Sequence, residues 1–75
     1  MSNTNPQHPV AVFNQLPDEA FVRLPTVRAL FACSSASVWR GVRAGRIPKP
    51  VKLSERTTGW RVGELRVALA EVGNH

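Results

Sequence analysis

Hydrophobic residues recur at helical spacing shortly after residue 25. Val27, Leu30 and Phe31 stand at i, i+3 and i+4, which predicts an amphipathic helix of about two turns from Thr26. Pro25 suits the first turn of this helix, because the amide hydrogen that proline lacks would have no partner there. Just upstream, the apolar positions of "DEAFVRLP" are expected to pack onto the core as an entry segment.

A second helix is predicted over residues 35–44. Val38, Gly41 and Val42 share one face of it. At about 100° per residue, Arg40 and Arg43 point roughly the opposite way. The pattern therefore predicts a helix with an apolar inner face and a cationic outer face.

Small hydroxyl residues, glycine and proline mark the ends of this second helix. Ser34 or Ser35 can accept hydrogen bonds from the amides of its first turn. Gly45 is expected to end it, and Pro48 and Pro50 prevent continuation. The two helices are thus joined by a short turn.

The period of the apolar residues changes to two after residue 50. This change predicts a β-hairpin with strands at 51–53 and 58–61 around a polar turn. Val51 and Leu53 are expected to face the core, and Trp60 to close the hairpin against the helices.

A last helix is predicted at 62–72, where Leu65, Leu69 and Val72 share one face. The expected fold is mainly α with a small β-hairpin. In this order the elements form a winged helix-turn-helix, consisting of a helix-turn-helix, a two-stranded wing and a C-terminal helix. We expect the domain to span residues 18–75, preceded by a flexible N-terminal arm at 1–17 that has three prolines and no periodicity.

Composition limits the class of protein. Seventy-five residues are enough for one domain and too few for a core with a deep substrate cleft. Cys33 is the only cysteine, so no disulfide forms within the chain, and we expect it to be a small buried residue. The start of the chain lacks the features of a signal peptide, and no window approaches the length of a membrane span. A soluble, cytoplasmic protein is expected.

The positive charge is concentrated in one part of the chain. The formal net charge is +5, and residues 40–61 carry seven Lys and Arg residues against one acid, Glu55. Such a cluster attracts polyanions, since each neutralised phosphate releases condensed counterions. An anionic membrane would attract it too, but the basic helix contains glycines and lacks a broad apolar face. A cationic helix after a tight turn, followed by a basic hairpin, is typical of double-stranded DNA binding.

Catalytic and metal-binding arrangements are missing from the sequence. There is no Ser-His-acid set, no glycine-rich phosphate loop and no paired carboxylates with a suitable partner. His8, His75 and Cys33 do not have the spacing of a metal site. We therefore expect no enzyme activity, no metal, no cofactor and no small-molecule substrate.

The segments "RLPTVRAL", "SSASVWRGVRAGRIPKPVKL" and "TTGWRVGEL" together resemble the AlpA family of phage and integrative-element regulators. The resemblance covers residues 18–69, and its most specific part is the block "AGRIPKPVKL" followed by "GWR". It implies a MerR-like winged helix-turn-helix, related to phage excisionases, that binds DNA near attachment sites or promoters. It also implies a bacterial cytoplasmic, nucleoid-associated protein of a prophage or mobile element.

The resemblance extends to individual positions of the second helix, where hydroxyl, aromatic and basic residues of the family have counterparts. These are Ser34, Ser35, Ser37, Trp39, Arg40 and Arg43. Three features depart from the family pattern. Ala32 stands where the turn usually has Gly, and Ala68 where the last helix often has Trp. Family members often have Arg or Lys near the position of Ser35, so fewer base contacts are expected from there.

Candidate DNA contacts fall on the second helix and the hairpin. We expect Arg40 to contact a base or a nearby phosphate and Arg43 to contact phosphate. Trp39 either packs in the core or lies against the DNA backbone. Ser35 and Ser37 cap the helix, contact phosphate, or do both.

The remaining candidates are cations and hydroxyls around the hairpin. Arg56, Thr57 and Thr58 are expected at its tip, and Lys49, Lys52 and Arg61 are expected to add nonspecific affinity. Arg46 either lies against the DNA backbone or is an ordinary surface residue. Arg28 and Arg66, away from this block, are interpreted as ordinary solvated charges.

The preferred hypothesis is a sequence-specific DNA-binding protein that acts as an excisionase (recombination directionality factor), as a transcriptional regulator, or as both. So small a footprint predicts self-association on adjacent DNA sites. The alternative is a basic adaptor that binds an integrase or another protein, with DNA contact secondary. Apolar residues of the N-terminal arm, Val10, Val12 and Phe13, motivate that alternative.

Overall fold

Four helices and three short strands alternate within residues 9–72, the part of the chain that the computed structural model describes. In chain order they are α1 (Pro9–Gln15), β1 (Phe21–Val22), α2 (Leu24–Phe31), α3 (Ser35–Ala44), β2 (Val51–Ser54), β3 (Thr57–Arg61) and α4 (Val62–Val72). The strands form one antiparallel sheet in the order β1-β3-β2. A mainly helical chain with a small sheet and a C-terminal helix confirms the expected fold class.

Helix α2 begins two residues before the predicted start and ends without a glycine. Pro25 lies in its first turn, and Val27 is fully buried. The helix ends at Ala32, which has φ 53° and ψ 48°, in the left-handed region. The Ala32 N–H donates to the Ala29 carbonyl at 3.3 Å and the Cys33 N–H to that of Arg28 at 3.1 Å. These bonds satisfy carbonyls at the end of the helix and set up the turn into α3.

Helix α3 has the predicted bounds and both predicted caps. The Ser34 Oγ accepts a hydrogen bond from the Ser37 N–H at 3.2 Å. Gly45 ends the helix with φ 88°, a conformation that glycine adopts without steric cost. On the inner face a Cβ at Gly41 would lie 2.7 Å from Ile47 Cδ1, so the chain after the helix folds back closely against it.

The core lies between α2, α3, α4 and the central strand β3. Its buried side chains are Phe13, Val22, Val27, Val38, Ile47, Trp60, Val62 and Leu65. Trp60 is fully buried, as predicted, and its indole N–H donates to the Pro48 carbonyl at 2.8 Å. This bond ties β3 to the segment that connects α3 with the hairpin.

The prediction that Val51 and Leu53 face the core is wrong. Each side chain is 43% exposed, because β2 pairs with residues 57–59, at the outer end of the hairpin. The inner end of β3, which carries Trp60, pairs instead with β1. Leu53 packs over Gly59, since a Cβ added at Gly59 would lie 2.8 Å from the Cδ1 atom of Leu53.

The segment predicted as a flexible arm differs from the structure from Pro9 onward. Helix α1 occupies Pro9–Gln15, and Phe13 is 3% exposed in the core. The physical reason is hydrophobic burial: removing the apolar side chain of Phe13 from water stabilises the packed segment relative to a solvated arm. Residues 1–8 of the predicted arm and residues 73–75 of the predicted domain lie outside the described residues, and the domain boundary stays a prediction.

Arg66 is not the ordinary solvated charge that the sequence suggested. Its guanidinium donates to the carbonyls of Leu16 at 2.7 Å and Phe13 at 3.1 Å, and it pairs with the Asp18 carboxylate. It also lies over the Phe13 ring, 5.2 Å from the centroid. Arg66 therefore fixes α1 and the following loop to α4.

Candidate nucleic-acid interface

The N-terminal half of α3 carries a chain of hydrogen bonds on its surface. The Arg40 Nη2 donates to the Ser37 Oγ at 3.2 Å, and the Ser34 Oγ donates to the same oxygen at 3.2 Å. Arg40 lies one turn after Ser37, so its long side chain folds back toward the start of the helix. The guanidinium is thereby held at the end of α3 that a helix-turn-helix presents to base edges.

Trp39 packs against the core and is also partly exposed, and its contact with the DNA backbone stays a prediction. Its ring lies 5.5 Å from that of Trp60, tilted by 45°, yet the residue remains 39% exposed. One side of the indole therefore packs on the core while the rest faces solvent beside Arg40. Such a ring is positioned for contact with a sugar-phosphate backbone.

A shallow cleft separates α3 from the start of the hairpin. It is lined by Trp39, Val42, Arg43, Lys49 and Pro50. The fold thus brings Arg43 and Lys49 to one site although five residues lie between them in the sequence. The apolar lining by Val42 and Pro50 was not among the predicted features, because it depends on how residues 46–50 turn back along α3.

The hairpin presents the next group of candidates. Lys52 is paired in register with Thr58, and Ser54 with Thr57, so that Arg56 lies in the tight turn at the tip. Of these residues only Thr57 is partly buried; the others are exposed. Val51 and Leu53, which were expected in the core, are exposed here and add an apolar surface to the hairpin.

Two predicted contact residues lie apart from these groups. Arg46 lines a cleft between the end of α3 and the outer face of α4, together with Glu64 and Glu71. The Arg61 guanidinium lies over the Phe21 ring, 4.8 Å from its centroid, at the β1 side of the sheet. Ser35, at the first position of α3, is half-buried.

The charges of this surface are unneutralised. Among the described residues the ion pair found is Arg66 with Asp18, so the cations of α3 and the hairpin have no carboxylate partner there. No charged side chain in residues 10–72 is buried. Solvent-exposed, unpaired cations are free to exchange their counterions for phosphates.

Other kinds of site are not visible in the described chain. Across residues 9–72 no three His, Cys, Asp or Glu residues gather as metal ligands. No helix in that range has both the length and the apolar character to cross a bilayer. His8 and His75 lie outside the described residues.

Comparison with known proteins gives the family. No curated protein and no solved structure matches the chain. A family model described as the prophage CP4-57 regulatory protein (AlpA) matches residues 20–70, which include β1 through most of α4. This match spans more than half of the chain, and the chain therefore belongs to the AlpA family.

Proposed function

We propose that the protein binds specific double-stranded DNA sites, with α3 in the major groove and the β2–β3 hairpin as the wing. The AlpA family is a family of prophage regulatory, DNA-binding proteins. The observation that carries the proposal is the continuous exposure of unpaired cations along α3, the adjoining cleft and the hairpin. Membership of the family supports DNA as the ligand, and the exposed cations support contact through α3 and the hairpin.

The dimensions agree with major-groove docking. Ten helical residues span about 15 Å, enough to cross a groove about 12 Å wide. Its hydrogen bond to Ser37 draws the Arg40 guanidinium back toward the start of this helix, where base contacts concentrate. Arg43 and Lys49 lie further along the cleft and are suited to phosphates on the groove edge. The Trp60–Pro48 hydrogen bond holds the wing at a fixed angle to α3.

Within this function, the protein acts as an excisionase, as a transcriptional regulator of its element, or as both. Footprinting of the purified chain on DNA around its own gene and the nearest integrase attachment site separates the two. Repeated short protected sites beside the attachment core are expected for an excisionase, and protection confined to a promoter for a regulator. Salt-sensitive smearing without any protected site would contradict specific binding.

Self-association on adjacent sites is part of the proposal. The outer face of α4 is apolar and acidic, with Val67 63% exposed between Glu64 and Glu71. The hairpin of a second copy matches its apolar part, since the exposed Val51 and Leu53 share the face of β2 opposite Lys52, which is left to contact phosphate. A contact of this kind between two different surfaces repeats head to tail, which suits a row of copies along DNA.

Val67→Asp tests this contact, with Val12→Asp on the exposed face of α1 as the matched control. We expect Val67→Asp to abolish cooperative binding to tandem sites and to leave affinity for a single site unchanged. Val12→Asp is expected to change neither. Unaltered cooperativity in Val67→Asp would contradict self-association through α4.

The adaptor alternative has lost part of its motivation. Phe13 is in the core, so of the three apolar residues that suggested a docking arm, Val12 is the clearly exposed one. Deleting residues 1–16 would also remove Phe13 from the core, and the discriminating change is therefore Val12→Asp. Loss of binding to the integrase of the same element, with DNA binding intact, would favour the adaptor.

A further inference from the structure

The side chains that α3 exposes can donate hydrogen bonds but offer almost no free acceptor. From Ser34 to Gly45 the sequence contains no Asn, Gln, Asp or Glu. Guanidinium and indole groups are donors only, and alanine contributes only methyl groups. Any acceptor on this surface must therefore come from the serine hydroxyls.

The acceptor capacity of Ser37 is already used. A hydroxyl oxygen has two lone pairs, and that of Ser37 accepts from Arg40 Nη2 and from Ser34 Oγ, each at 3.2 Å. Its own proton remains available for a ligand. The Ser34 Oγ donates its proton to Ser37 and accepts the Ser37 N–H, so the helix cap uses its donor and one of its two lone pairs. Ser35, the remaining serine of the helix, is half-buried.

The bases differ in what they present to such a surface. In the major groove guanine offers two acceptors, O6 and N7, which suit an arginine bidentately. Adenine requires a partner that donates to N7 and accepts from N6, as Asn and Gln do, and cytosine N4 requires an acceptor. A surface with few acceptors matches both acceptors of guanine, but it offers little to the N6 amino group of adenine or the N4 amino group of cytosine.

We infer that α3 selects a guanine through Arg40, held in place by Ser37, and makes no bidentate hydrogen bonds to adenine. This inference rests on the proposed DNA-binding function and specifies its target. The second hydrogen of Nη2, together with Nη1 and Nε, remains available to the base while Ser37 holds one edge of the guanidinium. Ser37 is a positioning residue for Arg40, and A·T pairs contribute through thymine O4 or its methyl group, or through DNA shape.

The test uses a site obtained by in vitro selection of duplex DNA with the full chain. Each guanine, then each adenine, is replaced by its 7-deaza analogue, which lacks the N7 acceptor. We expect 7-deazaguanine at one position to weaken binding about tenfold to a hundredfold, and 7-deazaadenine at any position to have less than about a twofold effect.

Ser37→Ala distinguishes positioning from a merely structural role. The variant keeps the backbone N–H that Ser34 caps, so the helix is retained. We expect the ratio between guanine and 7-deazaguanine sites to fall severalfold in Ser37→Ala and to be restored in Ser37→Thr. An unchanged ratio in Ser37→Ala would overturn the positioning role.

The outcomes separate this inference from the proposed function. A selected site that tolerates 7-deazaguanine but not 7-deazaadenine would overturn the inference and leave specific DNA binding intact. Failure of the selection to enrich any sequence would contradict the proposed function itself, and the inference with it.

Discussion

The residues that end α2 and α3 both have left-handed backbone conformations, but they differ in side chain. Ala32 at the end of α2 has φ 53°, and Gly45 at the end of α3 has φ 88°. A left-handed conformation costs an alanine about 1–2 kcal/mol, whereas glycine adopts it freely. The turn between α2 and α3 is therefore formed at a cost in conformational free energy, which a single substitution at Ala32 would remove.

Ala32→Gly is expected to raise the free energy of unfolding by about 0.5–1 kcal/mol, because relief of strain exceeds the added entropy of the unfolded chain. Gly45→Ala is the converse change; since no atom lies within 4 Å of the added Cβ, its cost of about 1 kcal/mol is conformational. Chemical denaturation measures both. A destabilised Ala32→Gly protein would show that the turn is not strained at this position.

The same two residues illustrate what sequence alone reveals at this scale. Gly45 was predicted as a helix end because glycine favours that conformation. Alanine itself gives no signal of the left-handed conformation at Ala32, since it favours helices; the signal is that the family usually has Gly in the turn at this position.

At the scale of elements, the hairpin was only partly predictable from the sequence. The alternation of apolar and polar residues correctly predicted its two strands, but not which residues of each strand would be buried. Burial depends on pairing: β3 is flanked by β1 at its inner end and by β2 at its outer end. The two-residue strand β1 is too short to produce a periodic signal, so the partner that places Trp60 was not identifiable from the sequence.

The wing is expected to contribute affinity rather than specificity. Lys52→Ala should weaken binding to selected and random DNA by the same factor, and reduce the slope of log affinity against log salt by about 0.9. Titrations over a range of salt concentrations give both quantities. Arg28→Ala, on an exposed position of α2, is the control and should leave the slope unchanged. A greater loss on the selected site than on random DNA would assign Lys52 a role in base selection.

At the scale of the whole molecule, Arg66 joins elements that are distant in sequence. Its hydrogen bonds to Phe13 and Leu16 span 53 and 50 residues. No sequence pattern predicts such contacts, because they depend on α1 and α4 meeting across the core. This is also why the arm was predicted to be separate although part of it folds with the domain.

Arg66→Met keeps the length of the side chain and removes its hydrogen bonds. We expect the free energy of unfolding to fall by about 1–3 kcal/mol, a range set by hydrogen bonds to a partly exposed charge. Arg28→Met, the control, should change it by less than about 0.5 kcal/mol. Equal stability of the two variants would mean that α1 is not fixed by Arg66.

The most direct test of the account is the specificity ratio of Arg40→Ala, the affinity for a selected site divided by that for random DNA. We predict that the ratio falls by a factor corresponding to about 1–3 kcal/mol, while affinity for random DNA changes little. Arg28→Ala should keep the wild-type ratio. Equal losses on selected and random DNA would contradict the assignment of α3 as the helix that reads the sequence.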